Sequence, residues 1–203
     1  MKDYICINGK KVELTEEQIR KFIEENKNES ITIQLSEVAV GATFKIGEHE
    51  FIVLEQSGDT TAVIRKALMT DMVFGDTNNY NGSKVDAECK KFAEDIATIV
   101  GKENIVQHTV DLTANDGLKC YGTIKRLASL LTADRYRRYV EILDKFKPND
   151  WWWLSNPFST KKHDNDYWAL CVSPSGFIGD IHCDFVSGVR PFCILKSTIF
   201  VSK

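Results

Sequence analysis

The sequence predicts an α+β fold, and three observations predict it. Short β-prone runs broken by glycine turns fill residues 43–65. Two longer stretches carry apolar residues at helical spacing, each behind a hydroxyl residue suited to capping. A tryptophan-rich, β-prone segment occupies the chain from residue 151 onward. A small hairpin-helix appendage, residues 1–30, precedes this main domain of residues 31–203.

The appendage comes first. Tyr4-Ile5-Cys6-Ile7 and Lys11-Val12-Glu13-Leu14 flank Asn8-Gly9, a pair that favours the positive φ angles of a type I′ hairpin turn. Thr15 with Gln18 three residues on suits a capping box, and Ile19, Phe22 and Ile23 form one apolar stripe behind it. The polar stretch Asn26 to Ser30 reads as a linker. That narrow apolar face offers a docking surface for the main domain, or for a second copy of the chain in a homo-oligomer.

In the main domain, Thr43–Ile46, Phe51–Glu55 and Ala62–Arg65 are β-prone, with Gly47-Glu48 and Gly58-Asp59 between them. This predicts an antiparallel meander. Met69 to Gly82, rich in Asn, Asp and Gly, is expected to be irregular. Ser83 caps a predicted helix in which Val85, Cys89, Phe92, Ala93, Ile96 and Ile99 recur at helical spacing. Ile105 to Leu112 suits a strand, and Tyr121 to Leu131 is expected to be helical. Thr132 caps a further helix with Tyr136, Tyr139, Val140, Leu143 and Phe146 on one side, ended by Pro148. Arg135, Arg137, Arg138 and Lys145 fall outside that stripe. They read as a solvated face, with an anion or nucleic-acid site as the alternative.

The final segment holds four expected strands: Trp151–Leu154, Trp168–Val172, Phe177–Cys183 and Val189–Leu195. Alternation sends Trp151 and Trp153 to one face and Trp152 to the other. The polar loop Ser159 to Asp166 lies between the first two. Arg190, set between Val189 and Pro191, needs a carboxylate or backbone carbonyls as a partner in so apolar a setting.

Composition excludes several classes. Lysine and arginine number 26 against 29 acidic residues, a net charge of −3, so nucleic acid is not an expected partner. No run approaches the ~20 apolar residues that span a bilayer, and Met1 to Lys11 lacks the core of an export signal. No membrane association is therefore expected. Synthesis in the cytoplasm is expected, with a phage particle as the alternative final location. The six cysteines form no Cys-x-x-Cys pair and are expected to be reduced and structural.

Motifs for catalysis or cofactors are missing. There is no phosphate-binding glycine loop, His-Glu-x-x-His or Gly-x-Ser-x-Gly. His163-Asp164-Asn165-Asp166 is the most metal-like cluster, but polar loops commonly have this composition. His182 and Cys183 are strand neighbours that face opposite sides, which leaves a Cys183–His163 dyad as the remaining Cys/His pairing. No catalytic residue, cofactor or metal is expected.

Four segments carry a family resemblance: Val40-Gly41-Ala42-Thr43-Phe44-Lys45-Ile46-Gly47 with Phe51-Ile52-Val53-Leu54, Leu130-Leu131-Thr132-Ala133-Asp134-Arg135-Tyr136, Trp151-Trp152-Trp153-Leu154-Ser155-Asn156-Pro157, and Gly188-Val189-Arg190-Pro191-Phe192. In this order they resemble the bacterial and phage family called domain of unknown function 6273, common in gut Firmicutes and their prophages, over residues 31–203. That family is similar in its C-terminal half to the C-type-lectin-like superfamily, which includes formylglycine-generating enzymes. The resemblance implies a C-type-lectin-like twisted antiparallel sheet with flanking helices and a loop-rich ligand face. It implies no activity, because fold is not function. The calcium-binding Glu-Pro-Asn and Trp-Asn-Asp sets of sugar-binding lectins have no counterpart here, since the matching positions read Ser155-Asn156-Pro157-Phe158 and Asn149-Asp150. The reactive cysteine dyad of formylglycine-generating enzymes is also missing, as Cys183 and Cys193 stand far apart in sequence.

The expected ligand face therefore lies on two C-terminal loops. Lys161, Lys162, His163, Asp164 and Tyr167 stand on the first, and Asp180, His182, Asp184 and Phe185 on the second. Trp151, Trp152, Trp153, Arg190 and Pro191 are expected to form the rigid frame beneath. The function this implies is a non-enzymatic, phage- or prophage-associated module that binds a protein or glycan. The alternative is an intracellular inhibitor or regulator, such as a phage anti-defence protein that binds a host complex. An enzyme of unrecognised type stands third.

Overall fold

A computed structural model describes residues 4–7, 10–13, 15, 17 and 32–202. The chain divides into two compact units, Met1–Ile31 and Thr32–Lys203. In the first, β1 (Tyr4–Ile7) and β2 (Lys10–Glu13) pair antiparallel with Ile7 opposite Lys10. The Asn8-Gly9 turn expected between them lies outside the described residues. The helix expected behind Thr15, including Gln18, Ile19, Phe22 and Ile23, and the linker after it lie outside the described residues.

The second unit is mostly β, an α+β arrangement with a curled antiparallel sheet and two α-helices among the described residues. β3 (Thr32–Gln34), β4 (Thr43–Ile46), β5 (His49–Ser57), β6 (Thr60–Arg65) and β7 (Thr70–Val73) come first. They are followed by α1 (Lys84–Val100), β8 (Ile105–Val106), β9 (His108–Asp111), β10 (Thr123–Arg126), β11 (Ala128–Ser129) and α2 (Ala133–Leu143). The C-terminal strands are β12 (Trp152–Pro157), β13 (Trp168–Val172), β14 (Ile178–His182), β15 (Val186–Val189), β16 (Phe192–Lys196) and β17 (Phe200–Ser202). Neither helix is long and apolar enough to cross a membrane.

The expected meander forms as β4-β5-β6, with Gly47 and Gly58 at positive φ in the connecting turns. A register shift between Val53 and Glu55 bends β5. These strands sit inside a larger sheet ordered β11-β16-β6-β5-β4-β17-β3, with β8 also on β16. Both faces of that sheet are covered. On one side α1 packs Phe92, Ala93 and Ile96 against Phe44, Phe51, Val53 and Val63. On the other side α2 brings Tyr136, Tyr139 and Leu143 to Ile52, Leu54 and Ile64. Two-sided burial explains why Phe51–Leu54 and Ala62–Ile64 are continuous apolar runs.

A second sheet, ordered β14-β13-β12-β15-β7, carries the tryptophans. Trp152 faces the α2 core, where Tyr136 meets it edge-on at 5.7 Å. Trp153 and the partly buried Trp151 face a third core with Phe74, Tyr80, Cys171 and Cys183. The alternation is therefore as expected. Both helices carry the expected caps: Ser83 accepts from the Asp86 amide and Thr132 from the Arg135 amide.

Four segments differ from expectation. Tyr121 to Leu131 forms β10 and β11 instead of a helix. Gly122 adopts positive φ, Thr123–Arg126 pairs with β9, and Ala128-Ser129 pairs with β16. Long-range pairing outweighs the local preference here. Met69 to Gly82 is not wholly irregular, because β7 pairs with β15. Val189–Leu195 is not one strand. Ser187 and Gly188 belong to β15 in the second sheet, and β16 lies in the first, so the chain changes sheets at Arg190-Pro191. Ile99 turns to solvent near the end of α1, although its spacing matches the buried stripe.

Arg190 and Pro191, both buried, form this corner. The Arg190 guanidinium donates to the carbonyls of Arg65 (2.9 Å), Lys66 (2.9 Å) and Phe146 (3.0 Å). It also stacks over Trp152 at 5.2 Å. Its partners are thus carbonyls, one of the two kinds its setting demands. Burial lowers its pKa to about 10, which leaves it charged at neutral pH. The arginines of α2 are not a free cationic face. Arg137 pairs with Asp134 and Arg138 with Glu55, while Arg135 covers the Phe192 ring at 4.7 Å.

Candidate functional site

Loops 74–83, 112–122 and 158–167 and the turn at 182–185 are tied into one region, and a buried amide does most of the tying. Asn78, fully buried, donates from Nδ2 to the carbonyls of Ser159 (3.0 Å) and Trp168 (2.9 Å). Its Oδ1 accepts from the Tyr121 hydroxyl at 2.8 Å, and its backbone N–H donates to Asp166 at 2.7 Å. One side chain thereby fixes the polar loop and connects it to the 112–122 segment. Asp116 adds a second tie: Oδ2 accepts from the Ser159 hydroxyl at 2.5 Å and lies 3.1 Å from His163 Nδ1. The bond from Ser159 is the main reason the Asp116 pKa lies below the ordinary carboxylate value. Loop 75–83 is held in turn by Asp86. That buried carboxylate accepts the Gly82 amide and a two-point contact from Arg126 at 2.7 and 2.8 Å.

Aromatic rings stand on this frame. The β13–β14 register sets Trp168 opposite His182. The Tyr167 ring stacks on His182 with centroids 5.6 Å apart and planes 5° from parallel, and Trp168 meets the same imidazole edge-on at 5.8 Å. His182 Nδ1 lies 2.5 Å from Asp184 Oδ1. A tight turn closed by the Phe185 amide on the His182 carbonyl presents Phe185 and then Val186. Tyr167 is 49% exposed, Trp168 39%, Phe185 62% and Val186 64%. Exposed aromatic side chains set close together mark a candidate contact surface.

Comparison with family models, curated proteins and solved structures finds no match.

Of the residues singled out from sequence, the structure brings together Tyr167, His182 and Asp184, with Phe185 on the adjoining turn. His163 pairs with Asp116 instead. Lys161 and Lys162 are exposed on the short 3-10 turn Lys161–His163, and Asp164 follows at a left-handed φ of 52°. Asp180 is partly buried in β14 opposite Leu170, with no hydrogen bond or ion pair to the ring cluster. Trp168, Val186, Asn78 and Asp116 were not anticipated. Asn78 sits in an Asn-Asn-Tyr-Asn run whose only sequence signal is turn-like composition.

Two chemistries weighed from sequence find no setting. The Cys183 thiol is buried, and desolvation raises its pKa to about 12, while His163 engages Asp116. The Asn156 amide is fully engaged: Oδ1 accepts the Ala133 amide and Nδ2 donates to the Asp111 and Thr113 carbonyls. Among the described residues no group of three or more His, Cys, Asp or Glu side chains could hold a metal ion. The region can offer flat rings, an imidazole–carboxylate pair and exposed ammonium groups to a ligand surface.

Proposed function

We propose that this chain is a non-catalytic binding module, phage- or prophage-associated and C-type-lectin-like, that presents its loop face to a protein or glycan. The observation that carries the reading is the exposed ring cluster of Tyr167, Trp168 and His182, with Phe185 on the next turn. Aromatic side chains give large contact area for little lost rotamer freedom, which suits them to recognition. Asp184 and His182 supply directional hydrogen bonding beside the rings. The loops rest on buried anchors, so the face is organised before a ligand arrives. The curled antiparallel sheet and the resemblance of the four segments support the C-type-lectin-like assignment.

The test is a glycan array and affinity capture from bacterial lysate with the full chain, followed by the double variant Tyr167→Ala/Phe185→Ala. Loss of central aromatic anchors should weaken binding by about 30-fold or more. The melting temperature should change little, since both side chains are exposed. Unchanged binding by a correctly folded double variant would place recognition elsewhere.

A further inference from the structure

A separate groove of about 500 Å³ runs between α1 and the segment formed by β10 and β11. Its origin is topological. β9 and β10 form their own two-stranded ribbon, outside both larger sheets, and a gap remains between the ribbon's end and the helix. The residues that would close the gap are small. Ala93 and Ala97 stand one turn apart on the same side of α1, and Ala128 lies opposite with Leu127. Ala93 belongs to the buried core, whereas Ala97 is only partly buried, so leucine at Ala97 would fill much of the space.

The rim has the opposite character. Lys90, Lys102, Lys125 and Arg126 surround the apolar floor, against Glu94 and the buried Asp86. Asp86 engages Lys90 at 2.9 Å and Arg126 at 2.7 Å, which holds those two cations at the mouth. Lys102 and Lys125 are exposed and form no ion pair among the described residues. The groove therefore joins an apolar floor to two uncommitted positive charges, and its volume lies in the range of small-molecule sites.

We propose that this groove binds an unbranched amphiphile with a single carboxylate, of the fatty-acid class. The hydrocarbon chain lies against Ala97 and Leu127, over the buried Ala93 and Ala128, and the carboxylate meets Lys102 and Lys125. Charge complementarity selects the head group, and the small side chains admit a thin chain rather than a bulky ring. This site does not involve the loop face and stands independently of the function proposed for it.

Titration calorimetry on the full chain with decanoate tests it. Decanoate should bind one-to-one with Kd of about 0.1 mM, as expected for a ligand of this size. Decan-1-ol, which keeps the chain and lacks the charge, should bind about tenfold more weakly, and so should decanoate to Lys102→Glu/Lys125→Glu. Ala97→Leu should remove decanoate binding. The charge-reversed protein, altered only at exposed positions, keeps the test valid should Ala97→Leu fail to fold. Three results would overturn the proposal: no saturable binding of decanoate, binding unaffected by both variants, or equal affinity for decanol. An acidic amphipathic helical peptide that binds in an Ala97-dependent way while decanoate does not would assign the groove to a protein helix and also refute it.

Discussion

Arg190→Ala probes the corner where the chain passes from one sheet to the other. The substitution removes three hydrogen bonds to carbonyls and the cation lying over Trp152. Each stranded carbonyl is partly buried and costs at most about 1–3 kcal/mol, so the direct loss is at most about 3–9 kcal/mol. Relief from burying a charge offsets several kcal/mol of that sum, which leaves a net destabilisation of about 3–5 kcal/mol. For a domain of this size the melting temperature should fall by about 10 °C. Urea unfolding followed by circular dichroism measures the change directly, and an unaltered slope confirms that the unfolding transition is the same one. Arg190→Met separates the causes, because it keeps the apolar bulk and removes the donors. It should recover no more than about 1–2 kcal/mol of the loss, by refilling the cavity. Arg190→Lys, which replaces a planar fork with a single ammonium, should fall between the parent and the alanine variant. If Arg190→Met matches the parent within about 0.5 kcal/mol, packing holds the corner and the hydrogen-bond argument fails.

Other outcomes follow from buried groups. Asn78→Ala should lower stability by about 2–3 kcal/mol and reduce amide-exchange protection in residues 159–166, whose anchor it removes; unchanged protection there would mean that the loop is held by other contacts. His108 lies 2.9 Å from the Ser129 hydroxyl, and burial, reinforced by Arg135, lowers its pKa to about 3. The folded state thus stays neutral while the unfolded state takes up a proton, so stability should fall by about 1 kcal/mol per pH unit from pH ~6.5 downward. His108→Gln should flatten that part of the pH–stability curve, and an equally steep curve would exonerate His108. Alkylation of the native protein with peptide mapping should label the exposed Cys120, whereas Cys89, Cys171, Cys183 and Cys193 should react only after unfolding. Desolvation raises the pKa of each of those four thiols to about 12, so early labelling of any of them would contradict the burial described.

What could be read from sequence divides along physical lines. The meander was legible because glycines punctuate it at positions that need positive φ, and the two main helices because Ser83 and Thr132 begin them. The β10–β11 segment was not legible. Its strands exist through partners distant in the chain, and nothing local favours them over a helix. The sheet change at Arg190 was hidden in a run that is β-prone on both sides of the break. Within the candidate site, loop polarity was visible, but the stacking of Tyr167 on His182 depends on the pairing register of β13 and β14. Asn78 was silent for a related reason: an asparagine that braces three loops has the same letters around it as one bathed in water.

The position of β15 and β16 also bears on how the domain is made. β16 sits between β6 and the β8–β11 side of its sheet, and β15 sits between β12 and β7. Both occupy interior places, yet the ribosome delivers them after the strands that flank them. Until residues 186–196 emerge, each sheet has a gap at an inner position, with unpaired backbone N–H and C=O groups facing it. One continuous segment fills an inner gap in both sheets, which couples their closure, and β17 then enters the first sheet between β4 and β3. The second unit should therefore fold late and cooperatively, with high contact order and slow kinetics, and its unfinished form should be the species most prone to aggregate.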